Sequence, residues 1–157
     1  MVGVKMMVFT RLINRKIKDL IMNEKFAEIT ETINQSDSLD GNVFNAVFNK
    51  NNATITVTNT DMPDAVVIVS ATENQILTQT PLFSEQEIKE DERAELNRKF
   101  LNIGLVMPLS GIGINNGLYV IFGSMATTTS IENIVHEIQA QVNNYTDVLL
   151  ASEEHLA

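Results

Sequence analysis

Three groups of residues in this 157-residue sequence carry side chains that could do chemistry: two histidines, a run of carboxylates and a glycine-bearing loop. His136 falls on the polar side of a predicted helix, and His155 lies in the C-terminal tail. A catalytic or metal-binding imidazole needs an orienting partner, and no His-x-x-x-His or Glu-x-x-His pair surrounds either one. Glu132, four residues before His136, reads as a surface neighbour. Glu85, Glu87, Glu90, Asp91, Glu92 and Glu95 crowd one segment. Acid–base catalysis needs burial to raise one carboxyl pKa, and this run is too polar to be buried, so it reads as a solvated face. Gly111-x-Gly113-x-x-x-Gly117 misses the dinucleotide-binding spacing by one residue and precedes a strand, where a phosphate-binding turn must open a helix. Ser110, within Pro108-Leu109-Ser110-Gly111, lacks the Gly-x-Ser-x-Gly elbow of a nucleophile. Ser36-Asp37-Ser38-Leu39-Asp40-Gly41 lacks the alternating ligands and terminal Glu of a calcium loop and reads as a turn. Cysteine is absent, which excludes disulfides, a thiol nucleophile and cysteine-based metal sites. The expectation is a protein with no catalytic residues, no cofactor and no metal site.

Composition bounds the rest. The length suits one domain, and 44% hydrophobic against 20% charged residues is enough to build a core. A net charge of −9 argues against general nucleic-acid binding. That charge is unevenly spread. Residues 1–25 carry six bases against two acids, while the remaining chain carries five against eighteen. No apolar run reaches the ~20 residues of a membrane span. Met1–Phe9 is interrupted by Lys5 and is followed, not preceded, by basic residues, so it reads as no secretion signal. A cytoplasmic location is the expectation.

The elements that must position these residues follow from periodicity. Ile13, Ile17, Leu20 and Ile21, then Phe26, Ile29 and Ile33, predict a helix over about Thr10–Ile33, with a break at Asn23–Lys25 left open. Ser84-x-x-Glu87 is a capping box that predicts a second helix from there to about Leu101, with Glu85–Lys89 and Glu95–Lys99 as i, i+4 pairs. Thr129-x-x-Glu132 predicts the start of a third, whose apolar stripe runs from Ile131 to Leu149. Between them, Val43–Phe48 and Ala53–Thr58 form a predicted hairpin. Ala65–Val69 reads as a central strand covered on both faces, and Gln75–Thr80 follows it. Ile112–Ile114 and Leu118–Phe122 flank an Asn-Gly turn. The order α-ββββ-α-ββ-α predicts an α+β fold: a largely antiparallel sheet of about six strands flanked by three helices. Residues 1–21 are assigned to a basic N-terminal extension or helix and 22–157 to a single domain.

From about Ala65 onward the chain resembles the YjfI-like family of bacterial proteins. The residues that carry the resemblance are Val66–Ser70, Gln75-Ile76-Leu77, Leu82-Phe83, Pro108–Gly113, Tyr119–Ser124 and Thr129-Ser130-Ile131-Glu132. The family is usually encoded beside a homologue of the membrane-remodelling protein PspA, so the resemblance implies an adaptor or regulator in a membrane-stress response. The element order also looks similar to type III secretion chaperones, which dimerise and bind extended client segments; this is an analogy of fold.

Three readings of function follow. One is a non-enzymatic protein-binding adaptor, a homodimer with a PspA-like partner. Another is a chaperone-like dimer that binds extended client segments. The last is a small-ligand sensor or enzyme with a pocket near Pro108–Gly113. Pro108, Leu109, Ser110, Tyr119, Phe122 and Gly123 are the candidate binding residues. Arg11, Arg15, Lys16 and Lys18 are candidates for peripheral membrane or partner contact, because a basic helix with an apolar side can lie on anionic lipid or dock on a partner.

Overall fold

The computed structural model describes residues 2–36, 41 and 43–157, with side chains in the first helix from residue 14 onward. Helix α1 spans Val2–Gln35 without a break at Asn23–Lys25. The turn expected at Ser36–Gly41 falls largely outside the described residues. Strands β1 (Phe44–Asn49), β2 (Thr54–Asn59), β3 (Val67–Ala71) and β4 (Gln75–Ser84) follow. Helix α2 (Arg93–Gly104) precedes the hairpin of β5 (Gly111–Asn115) and β6 (Leu118–Ala126), and helix α3 spans Ile131–Ser152. The six strands form one fully antiparallel sheet in the order β1-β2-β3-β4-β6-β5. The α+β architecture expected from the alternation of apolar and polar residues is the one observed.

All three helices cover the same face of this sheet. Phe26, Ile29 and Ile33 of α1 meet Phe44, Ala46, Ile55, Val57 and Val67, with Ile134, Ile138 and Val142 of α3 closing that core. A second core joins Leu96 and Phe100 of α2 to Phe83, Tyr119, Ile121 and Val148. Tyr145 packs against both. Within the second, Phe83, Phe100 and Tyr119 form an aromatic triangle with ring centroids 5.3–6.3 Å apart, a spacing that favours tilted contacts. Among the described residues, the opposite face carries no helix. β3 is therefore covered on one face only: Val67 and Val69 are buried and Ile68 is exposed, which corrects the expectation of a strand buried on both sides.

Two helix starts also differ from the sequence reading. The Ser84–Glu87 box is present, with the Ser84 N–H donating to Glu87 Oε2 at 2.7 Å, but it opens only the 3-10 turn Glu85–Glu87. The helix cannot continue because Ile88 forms a β-bridge with Leu156 and the Lys89 N–H donates to the His155 carbonyl. Helix α2 starts at Arg93 instead. Lys89 and Lys99 consequently do not make the i, i+4 pairs. Lys89 Nζ reaches the Glu154 carbonyl, Lys99 pairs with Glu154 at 2.8 Å, and Glu95 pairs with Arg98 at 2.9 Å. For α3 the cap is Ser130, whose hydroxyl accepts from the Asn133 N–H, one residue later than the Thr129 box.

Candidate functional site

The end strands of the sheet are finished differently. At β1, the side-chain amide of Asn34 accepts from the Ala46 N–H at 2.8 Å and donates to the Ala46 carbonyl at 2.9 Å. A residue of α1 thus pairs the centre of that edge as a strand would. β5 is paired on one side only, through Gly111↔Phe122, Ile112↔Ile121, Gly113↔Val120, Ile114↔Tyr119 and Asn115↔Leu118. Asn116 and Gly117 both have positive φ, at 51° and 80°, as a two-residue hairpin turn requires. The closing pair Asn115↔Leu118 is then hydrogen-bonded, and the alternation of an antiparallel ladder makes Gly113↔Val120 and Gly111↔Phe122 hydrogen-bonded too. Ile112 and Ile114 are left with their backbone N–H and C=O groups pointing outward at an open edge.

Exposed apolar side chains run along α2 and past its end, and Leu101 among them borders this edge. Asn97, Leu101 and Leu105 follow one another at four-residue spacing along α2 and its end. Asn97 and Leu101 join Phe100, Ile112, Ile114 and Tyr119 in an open cleft of about 350 Å³. Leu101 is 76% exposed, Leu105 86%, Val106 82% and Ile114 51%. An unpaired strand edge beside an open apolar cleft is the arrangement that an added strand covers, with main-chain hydrogen bonds for affinity and alternate side chains for selection. At the floor of the cleft, Tyr119 is buried and its hydroxyl donates to Asn97 Oδ1 at 2.6 Å. Burial is the main reason its phenol sits above the usual range.

The residues singled out from the sequence do not come together in one place. Tyr119 lies in the cleft. Phe122 is on the bare face, where its ring crosses β5: a Cβ added at Gly111 or Gly113 would stand 3.0 or 3.3 Å from it. Those glycines make room for the ring. Pro108 and Ser110 lie on the helix side, where Asn144 Nδ2 donates to the Pro108 carbonyl at 3.0 Å and to Ser110 Oγ at 3.2 Å. Leu109 between them adopts positive φ and is exposed. Gly123 lies under α3, where a Cβ would collide with the Glu137 carboxylate and the Thr78 hydroxyl. Burial raises the Glu137 carboxyl above its ordinary 4.5. Of the basic residues, Arg15, Lys16 and Lys18 are exposed, as are Ile17, Leu20 and Ile21 beside them; the side chain of Arg11 lies outside the described residues.

A second cleft, of about 330 Å³, lies across α2 and is lined by Glu95, Arg98, Lys99, Asn102, Glu154 and His155. His155 is 4% exposed, with Nδ1 2.8 Å from Glu92 Oε2. Its Nε2 is buried, lacks a hydrogen-bond partner, and lies 3.4 Å from Glu154 Oε1, within ion-pair reach. The Lys99 ammonium holds the Glu154 carboxyl below its ordinary range. Glu92 and His155 are far apart in sequence, so no local spacing announced this orienting partner. Among the described residues, no group of three or more potential metal ligands comes together and no helix is long and apolar enough to cross a membrane.

The family model described as "Uncharacterized protein conserved in bacteria (DUF2170)" matches residues 23–156. The uncharacterized protein YjfI of Escherichia coli K12 is 30% identical over 113 residues, covering 69% of this chain and 83% of that relative, and the O157:H7 protein gives the same figures. Among solved structures, the HopA1–SchA chaperone–effector complex contains a chain that superposes with a TM-score of 0.59 at 14% identity, covering 85% of this chain and 97% of that one. At that identity the likeness concerns the fold alone. With the family model spanning both cores, the open edge and the cleft beside it, the chain belongs to the DUF2170 family of YjfI-like bacterial proteins.

Proposed function

We propose that this protein is a non-enzymatic, chaperone-like binding module that takes an extended segment of another polypeptide as an added strand on β5. The observation that carries this reading is the open β5 edge, with Ile112 and Ile114 presenting free backbone groups at a cleft they share with exposed Leu101. A strand laid there would direct every second side chain into the cleft over Phe100 and Tyr119. The fold shared with a chain of a chaperone–effector complex supports the same reading. The test is fluorescence anisotropy with a labelled ten-residue peptide of alternating apolar and polar residues. The wild-type chain should bind it, Leu101→Asp and Ile114→Asp should each weaken binding at least tenfold, and a peptide with central prolines should not bind. Equal binding of both peptides, or no effect of either substitution, would refute strand addition at this edge.

A second reading rests on α1. Arg15, Lys16 and Lys18 are exposed together with Ile17, Leu20 and Ile21, a basic and apolar surface that suits an anionic membrane or an adaptor contact with a PspA-like partner. Flotation with anionic liposomes should recover the full chain and lose the form lacking residues 1–21. Equal recovery of both forms would end this reading for the segment.

A further inference from the structure

We propose that, when no client is bound, the β5 edge is covered by the β5 edge of a second copy of this chain, in an antiparallel register centred on Gly113. Self-association and client binding then compete for one edge. The inference rests on the reading of β5 as a strand-accepting edge and adds what occupies it at rest.

The strand is self-complementary. Gly111-Ile112-Gly113-Ile114-Asn115 reads nearly the same in both directions about Gly113, and a two-fold axis there sets Ile112 of one copy opposite Ile114 of the other. These are the two residues whose backbone groups point outward, so both Ile112–Ile114 pairs become hydrogen-bonded pairs. Gly113 then faces its own copy in the non-bonded position, where strands approach most closely, about 4.5 Å between Cα atoms. Having no side chain, it raises no obstacle. A shift by one residue would place inward-pointing groups of one copy opposite outward-pointing groups of the other and lose the ladder.

The apolar surroundings of the edge suit this occupant. Leu101 and Ile114, 76% and 51% exposed and sharing the cleft beside this edge, add apolar surface that a second copy covers. The two-fold contact is closed, so it removes the exposed edge without propagating into a fibre.

The chain has no cysteine, so a single introduced thiol reports the register. Gly113→Cys would meet its copy at a Cα separation of about 4.5 Å, inside the ~4.4–6.8 Å range of a disulfide. Mild oxidation should convert this variant to a covalent dimer, whereas Ile68→Cys, on the bare face away from the edge, should stay unlinked. The cross-linked dimer should bind the alternating peptide at least tenfold more weakly than the same variant after reduction. Sedimentation of the cysteine-free chain should show a concentration-dependent dimer that Ile114→Asp weakens at least tenfold; this measurement decides the case if Gly113→Cys does not fold. A chain that stays monomeric at every concentration yet binds the peptide overturns the inference and leaves strand addition standing. A dimer with no affinity for the peptide in any form overturns the competition and the client reading together. A cross-linked dimer that binds the peptide undiminished overturns the competition alone.

Discussion

The amide of Asn34 hydrogen-bonds both backbone groups of Ala46, so a helix side chain occupies the centre of the β1 edge. Nothing comparable reaches β5 among the described residues. One end of the sheet is closed from within the chain and the other is paired on one side only, and the proposed docking at β5 rests on this asymmetry.

Replacing Asn34 with Leu should remove both bonds and reopen β1. Each such bond is worth about 1 kcal/mol, so the loss should be about 1–2 kcal/mol. Thermal unfolding followed by circular dichroism should show a Tm lower by roughly 2–8 °C. An unchanged Tm would mean that the amide contributes nothing to closing the edge.

His155→Ala should be more damaging than its place near the C-terminus suggests. The ring is buried and held by Glu92, and its carbonyl accepts from the Lys89 N–H in the bridge that stops the helix before Arg93. Losing the buried ring and leaving Glu92 unpaired should cost about 2–4 kcal/mol in urea unfolding, with Glu92→Gln costing less. Equal and negligible losses in both would show that the tail does not brace α2.

Gly123→Ala should cost about 1–3 kcal/mol, because the new Cβ meets the Glu137 carboxylate and the Thr78 hydroxyl. Combining it with Glu137→Ala should recover the part of that loss due to the carboxylate, while the contact with the Thr78 hydroxyl remains. Simple additivity in the double-mutant cycle would place the strain elsewhere.

Glu137 also gives a pH dependence with a definite sign. Burial raises its carboxyl above 4.5, so the folded state holds this proton more tightly than the unfolded chain does. Its contribution to stability is therefore fully present below the unfolded value and declines as pH rises from about 4.5 through the raised folded value. Glu137→Gln should abolish that part of the decline and gain stability relative to wild type near neutral pH. Denaturant midpoints measured from pH 4 to 8 decide it; parallel profiles for the two proteins would contradict the assignment.

Tyr119→Phe should cost about 1 kcal/mol through loss of the 2.6 Å bond to Asn97, while leaving the aromatic triangle in place. If the cleft takes a client side chain, peptide affinity should change by less than threefold, because the ring and not the hydroxyl forms the floor. A collapse of binding in this variant would assign the hydroxyl to recognition.

Local signals in the sequence carried the fold a long way. Alternation in Thr54–Asn59, the Asn116–Gly117 turn and the Ile131–Leu149 stripe each depend on residues a few positions apart, and each element is where those signals place it. Helix α2 starts later than its capping box predicts because the box satisfies backbone donors locally, whereas the bridge of Ile88 to Leu156 is a long-range contact that no local pattern contains.

The candidate site divides the same way. The apolar character of Ile112, Ile114, Leu101 and Leu105 and the absence of cysteine are properties of the sequence itself. Which strand ends the sheet unpaired, which edge Asn34 closes, and that Glu92 meets His155 were decided only by the tertiary structure. Composition and periodicity fix what an element is and which face it buries. Its neighbours are fixed by packing among residues distant in the chain, and an open edge is defined by its neighbours.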